Sequence, residues 1–199
     1  MMNKKVLLCT GGIGSGKSYV IRVFNTLGIP AYDSDTMTKL LYDKDEELLD
    51  AISKIAGKDI VIDGVLQRKL FASRIFTNAD LLEQVENVVH PAVIRDFNRW
   101  KTEQNSDFVI IESAILLEKP ELASVPDYIL AVVAPLSVRI ERVMNRDGIS
   151  QDEVLARIDN QWSDEERIRM ADFVIRTNDA DAILPDVLKI MEEIRNGRR

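Results

Sequence analysis

The sequence predicts an α/β fold, a parallel sheet with helices on both faces. Three observations predict it. Short apolar runs without alternation, such as FVII and YILAVV, read as strands covered on both sides. Between them, apolar residues recur at the spacing of one helical face. A glycine-rich loop joins the first apolar run to the first helical pattern. Strands that alternate with helices connect in parallel and lay the helices over the sheet.

Each element follows from the same reading. Val6–Thr10 is a short buried strand, and Ser18–Leu27 a helix stopped by Gly28 and Pro30. Ala31–Asp33 is a brief second strand. From Thr36 to about Lys101 the pattern is largely helical, carried by Leu48, Ile52 and Ile55 and by Leu81, Leu82, Val85, Val88 and Val89. Gly57 and the IVIDGV segment break it once. Phe108–Ile111 and Tyr128–Val133 are further buried strands. Pro135 to Trp162 is helical, with a break at Asp147–Gly148. Phe173–Ile175 is a last strand, and Leu184–Ile194 closes the chain as an amphipathic helix. The expectation is a single domain over 1–199, with a helical insertion at 36–105 and a lid region at 139–165. The insertion lies over the carboxyl edge of the sheet, where open α/β sheets bind ligands.

The bulk numbers narrow the function. A chain of 199 residues, 46% hydrophobic and 30% charged, can bury a core without staples. A net charge of −7 argues against nucleic acid as a partner. The single cysteine, Cys9, excludes an intrachain disulfide and fits a reducing compartment. The apolar run before the first glycines is too short for a signal peptide, and no stretch suits a membrane span. The reading is cytoplasmic, with no membrane partner and the oligomeric state open.

GGIGSGKS carries the chemistry. Gly11-x-x-x-x-Gly16-Lys17-Ser18 matches the P-loop pattern in its expected setting, after a strand and before a helix. Glycines let successive N–H groups turn inward on phosphate oxygens, and the following helix adds its positive end. Gly12, Ile13, Gly14, Ser15 and Gly16 form the cradle. Lys17 reaches the β/γ-phosphates, and Ser18 offers a hydroxyl to Mg²⁺. A nucleoside triphosphate is the expected ligand.

Asp33 and Asp35 follow on the second strand. Two apart in an extended segment, they project to one face. A kinase needs a carboxylate to take the acceptor's proton and carboxylates to position Mg²⁺. The alternative is a turn in which Ser34 or Asp35 caps a helix. Arg139, Arg142 and Arg146 fall on one face of a helix, placed to close over a triphosphate. A solvated face paired with Glu141 is the alternative, and the reading kept for Arg139. His90 is the only histidine, so a His-based triad is excluded. It reads either as a helix start, with Pro91 at the first helical position, or as part of an acceptor site. Trp100 and Trp162 read as helix-packing residues.

TGGIGSGKS, LGIPAYDSD, VVHP, ESAILLE, RVMNRD, RIDNQ and MAD, in this order, resemble the dephospho-coenzyme A kinases. The resemblance implies a P-loop kinase fold with a helical acceptor-binding insertion and a helical lid. It implies transfer of the ATP γ-phosphate to the ribose 3′-hydroxyl of dephospho-CoA, giving CoA and ADP, the last step of CoA synthesis, with Mg²⁺. By position, the general base falls on Asp35, with Asp33 beside it, and the phosphate contacts on Gly12 to Ser18. The lid arginine falls on Arg146, with Arg142 one turn earlier, and the adenine contact on Asn178. His90 falls on the acceptor side with Asp33, Asp35 and Glu112. Ser18, Asp35 and Glu112 are the positions for Mg²⁺. The chain departs from the family pattern where Glu112 replaces an aspartate, Ala114 a proline, and Asp179 a glycine. A shikimate-type kinase would carry a glycine triplet after the third strand, and a GTPase switch an N-K-x-D motif. Neither is present.

Overall fold

The computed structural model describes residues 4–114, 116–119, 122, 124–178 and 182–197. The chain divides into two compact units, one of Met1–Tyr32 with Gln104–Arg199 and one of Asp33–Glu103. The expected insertion, 36–105, overlaps the second unit.

The first unit carries the sheet. Its strands are β1 (Lys5–Thr10), β2 (Ala31–Asp33), β5 (Phe108–Glu112), β6 (Tyr128–Val133) and β7 (Phe173–Arg176), in the order β2-β5-β1-β6-β7. β1 runs parallel to β5 and β6, and β6 parallel to β7. Cys9 stands opposite both Glu112 and Leu130, so three strands end at one edge. One face is covered by α1 (Lys17–Thr26) and α9 (Leu184–Arg195). There Leu7, Cys9, Phe108, Ile110, Leu130 and Val132, every second residue of their strands, meet Val20, Phe24, Val187 and Met191. Three further helices, α6 (Leu136–Asp147), α7 (Gln151–Asp159) and α8 (Asp164–Met170), fall between β6 and β7. The expected helix over 135–162 accounts for two of them, with Gly148 in the left-handed region as the C-cap between them. α8 was not expected. Its seven residues are started by Ser163 and Glu166, which cap each other reciprocally.

The second unit is helical. It comprises α2 (Ser34–Lys44), α3 (Glu46–Ala56), α4 (Arg68–Ile75) and α5 (Ala79–Glu103), with a small hairpin of β3 (Val61–Ile62) and β4 (Val65–Leu66). The IVIDGV break is this hairpin. Asp63 and Gly64 turn it with φ of 51° and 77°, the positive pair that a tight hairpin needs. α3 and α5 pack on each other, and Leu48 and Ile52 of the one and Val85 and Val89 of the other are buried.

One expectation is corrected here. His90–Pro91 does not start a helix, because α5 runs unbroken through Pro91. The ring removes one backbone donor, yet Val85, Val89, Ala92, Val93 and Phe97 keep a continuous buried stripe on both sides of it. That burial outweighs the lost bond.

Candidate active site

The loop between β1 and α1 is packed from the far side by other parts of the first unit. A Cβ at Gly12 would lie 2.2 Å from Arg139 Nη2, so the guanidinium would have to leave its place against the loop. Gly14 has φ 77°, and its Cβ would lie 2.6 Å from the Arg139 carbonyl oxygen. Glycine is needed there for both backbone and space. Within the loop, Ser15 N–H donates to the Gly12 carbonyl at 3.1 Å, and Lys17 Nζ donates to the Gly11 carbonyl at 2.8 Å. α1 starts at Gly16 with no side-chain cap and no acidic residue in its first turn. Its positive end therefore stays uncompensated by its own helix, as an anion site requires. Ser18 is exposed in this turn.

Side chains distant in sequence hold the loop. Ile13 N–H donates to Gln161 Oε1 at 2.9 Å. Arg139 Nε donates to the Ile13 carbonyl at 2.9 Å, and Arg139 Nη1 reaches Asp164 at 3.3 Å. Arg142 Nη1 donates to Thr177 Oγ1 at 2.9 Å and lies 3.3 Å from the Gly14 carbonyl. Thr177 Oγ1 in turn donates to the Ser15 carbonyl at 2.6 Å. Arg139 is only 5% exposed, which corrects the solvated reading. The Ile13 carbonyl and Asp164 offset the cost of burying its charge. Its Nη2 is buried without an acceptor, as are the hydroxyls of Thr10 and Ser15.

Glu112 ends β5 beside the last residues of β1. The Cys9 thiol is pushed up to about 12, chiefly by burial and then by Glu112, with Lys17 opposing. All three therefore share one electrostatic neighbourhood under the loop. Arg146 lies at the end of α6 with its side chain 62% exposed, and pairs with Asp147 through Nε at 2.7 Å and Nη2 at 3.0 Å. That bond raises Arg146 and holds the Asp147 carboxyl below its usual range. Arg157 of α7 joins the same carboxylate at 3.0 Å. Asn178 is exposed, directly after Thr177. Asp179, singled out from the sequence, lies outside the described residues.

In the second unit Asp33 ends β2 and caps α2. Its Oδ1 accepts from the backbone N–H of Asp35 and Thr36 at 3.1 and 3.0 Å, and its Oδ2 accepts from Thr36 Oγ1 at 2.6 Å. This corrects the extended reading of the pair. Asp35 already belongs to the first turn of α2, and the cap is Asp33 rather than Ser34 or Asp35. His90 is partly buried midway along α5. A cavity of about 760 Å³ opens between α2, the start of α3 and α5, lined by Met37, Leu41, Lys44, Arg95 and Arg99 among others. Trp100 stacks on Phe97 with ring centroids 6.0 Å apart, a packing role as expected.

Arg139, Gln161 and Thr177 were missed as site residues. The three-and-four spacing marks Arg139 as a partner of Arg142, but not the direction in which the helix faces.

The structure is similar to a crystal structure from Thermus thermophilus, with a TM-score of 0.81 and 31% identity over 98% of both chains. It is also similar to the dephospho-CoA kinase from Campylobacter jejuni, with a TM-score of 0.68 and 25% identity over 98% of this chain and 99% of that one. Fold and loop together place the chain among the ATP-dependent P-loop kinases. The family model for dephospho-CoA kinase matches residues 6–182. A dephospho-CoA kinase of Porphyromonas gingivalis is 40% identical over 95% of this chain and 94% of its own length. The chain belongs to the dephospho-CoA kinase family.

Proposed function

We propose that this chain phosphorylates the ribose 3′-hydroxyl of dephospho-CoA with ATP, giving CoA and ADP. The observation that carries the reading is the family match over 6–182 together with a complete GGIGSGKS loop between strand and helix. The hydroxyl oxygen attacks the γ-phosphorus, the bond from that phosphorus to the β–γ bridging oxygen breaks, and the hydroxyl proton passes to Asp35. Asp33 is committed to capping α2, so its part is to set the backbone that carries Asp35. Lys17 and the loop from Gly12 to Ser18, through the N–H groups that no protein acceptor takes, hold the triphosphate. Arg142 orders the loop through Gly14 and Thr177. Arg146 exchanges the Asp147 carboxylate for the moving phosphoryl group. The exchange is inexpensive, since an exposed ion pair contributes little. Asn178 is assigned to the adenine, and His90 and Glu112 to the acceptor side.

Ser18, Asp35 and Glu112 are oxygen donors, the set that a hard cation such as Mg²⁺ takes. When bound, the ion neutralises charge on the β- and γ-phosphate oxygens. We place the enzyme in the cytoplasm, where a buried, unpaired cysteine is stable.

The test is a coupled ADP-release assay with ATP and Mg²⁺, comparing dephospho-CoA, shikimate and adenosine as acceptors. Turnover with dephospho-CoA alone, and CoA as the product, is expected. ADP release that ignores dephospho-CoA would overturn the assignment.

A further inference from the structure

We propose that Gln161 and Arg139 are positioning residues that set the shape of the P-loop before ATP arrives. The proposal rests on the reading that this loop binds the phosphates of ATP. Its starting point is Ile13, whose two backbone groups are both held by side chains from far along the chain. Gln161 accepts its N–H at 2.9 Å, and Arg139 donates to its carbonyl at 2.9 Å.

The two holders are braced against each other. Arg139 Nη1 reaches Asp164 Oδ1 at 3.3 Å, and Asp164 is the first residue of α8. Gln161 lies three residues earlier, just past the end of α7. The connection between them is pinned twice. The reciprocal cap of Ser163 and Glu166 fixes the start of α8. Arg167, 1% exposed, donates to the Trp162 carbonyl. Gln161 and the Asp164 partner of Arg139 thus sit on one fixed connection.

A loop with glycines at 11, 12, 14 and 16 has many conformations, and a ligand that must order it loses affinity. Fixing Ile13 in advance lowers that cost. It also commits one N–H to protein, so the phosphates fall to the other N–H groups. The chemistry of Gln161 suits this task. An amide oxygen accepts the N–H without bringing negative charge to a site built for anions. A carboxylate would make the same bond and repel the triphosphate. The rival account makes Gln161 a stand-in that a phosphate oxygen displaces. In that case, removing it would strengthen ATP binding.

The experiment uses the full chain and the variants Gln161→Leu, Gln161→Glu, Arg139→Met and Lys17→Ala. ATP dissociation constants by calorimetry, KM and kcat with dephospho-CoA, and Tm are measured on each. Gln161→Leu is expected to weaken ATP binding about fivefold, the effect of one hydrogen bond. Gln161→Glu is expected to keep the wild-type Tm yet weaken ATP at least as much, raising KM with kcat within about twofold. Arg139→Met is expected to raise KM for ATP in the same way. A fall in Tm with unchanged ATP affinity would make the contacts merely structural and overturn the proposal. Tighter ATP binding by Gln161→Leu would overturn it in favour of displacement. If Lys17→Ala loses ATP while the Gln161 variants do not, only this proposal fails. If Lys17→Ala keeps wild-type affinity, the phosphate reading of the loop fails as well.

Discussion

Arg139 is a charged side chain that packs as a core residue, and its neighbours explain how. One N–H is spent on a loop carbonyl, another on a carboxylate, and the planar group fills the space where Gly12 lacks a Cβ. Cys9 shows the opposite case, a reactive group made inert by its place. Its thiol is fully buried and raised to about 12, so it carries almost no thiolate at neutral pH. No labelling of the native protein by a thiol-specific disulfide reagent at pH 8 is expected, with one equivalent labelled in denaturant. Rapid native labelling would show that β1 opens. Asp35 is the residue on which the proposed chemistry turns. Asp35→Asn is expected to lower kcat by roughly 10²–10⁴-fold, the usual contribution of a general base, with the ATP dissociation constant within about twofold. Near-normal turnover would move the base elsewhere.

Among the elements, α6 and α5 carry the most consequence. α6 sets two arginines of one face against the P-loop and leaves the third at its end on Asp147. One helix thus combines two arginines held against the loop and one in an exposed ion pair, as the proposed exchange of Arg146 onto a phosphoryl group needs. α5 keeps a proline in its interior, at the cost of a backbone hydrogen bond. Pro91→Ala is expected to raise stability by on the order of 1 kcal/mol, the restored bond being partly offset by a more flexible unfolded chain. The urea midpoint checks it. A gain in stability together with a loss of turnover would mark the His90–Pro91 stretch as kept for function rather than for folding.

At the scale of the whole molecule, the acid side of the stability profile follows from carboxyls held low by their partners. Arg74 holds Asp59 low, and Arg146 holds Asp147 low. The backbone and hydroxyl of Ser150 and Ser163 do the same for Glu153 and Glu166. A carboxyl with a lowered folded value adds stability above its unfolded value, and loses it as pH falls through the folded one. Tm is therefore expected to be flat from pH 8 to about 5 on their account and to fall below about 4. A thermal melt at several pH values reads this directly. A decline starting near pH 6 would show that these carboxyls do not set the acid side of the profile.

Much of this was legible in the residues. The strand runs, the P-loop and its setting, and the helix stops depend on local physics: period, turn chemistry and capping. Each is written within a few residues of where it acts. Even so, a local cue misled at His90–Pro91, where Pro reads as a helix start until the buried stripe on either side is counted. It misled again at Asp33–Asp35, where the cap is Asp33 rather than Ser34 or Asp35 and Asp35 lies in a helix. The sequence alone determined that a phosphate cradle follows the first strand, because glycine freedom and a helix start are properties of consecutive residues. Only the tertiary structure decided what holds that cradle. Arg139, Gln161 and Thr177 lie 126 to 162 residues from their partners in the loop, and their meeting depends on how α6 and the α7–α8 connection pack and on where β7 joins the sheet. Such packing is settled by long-range burial, which no short stretch of sequence records.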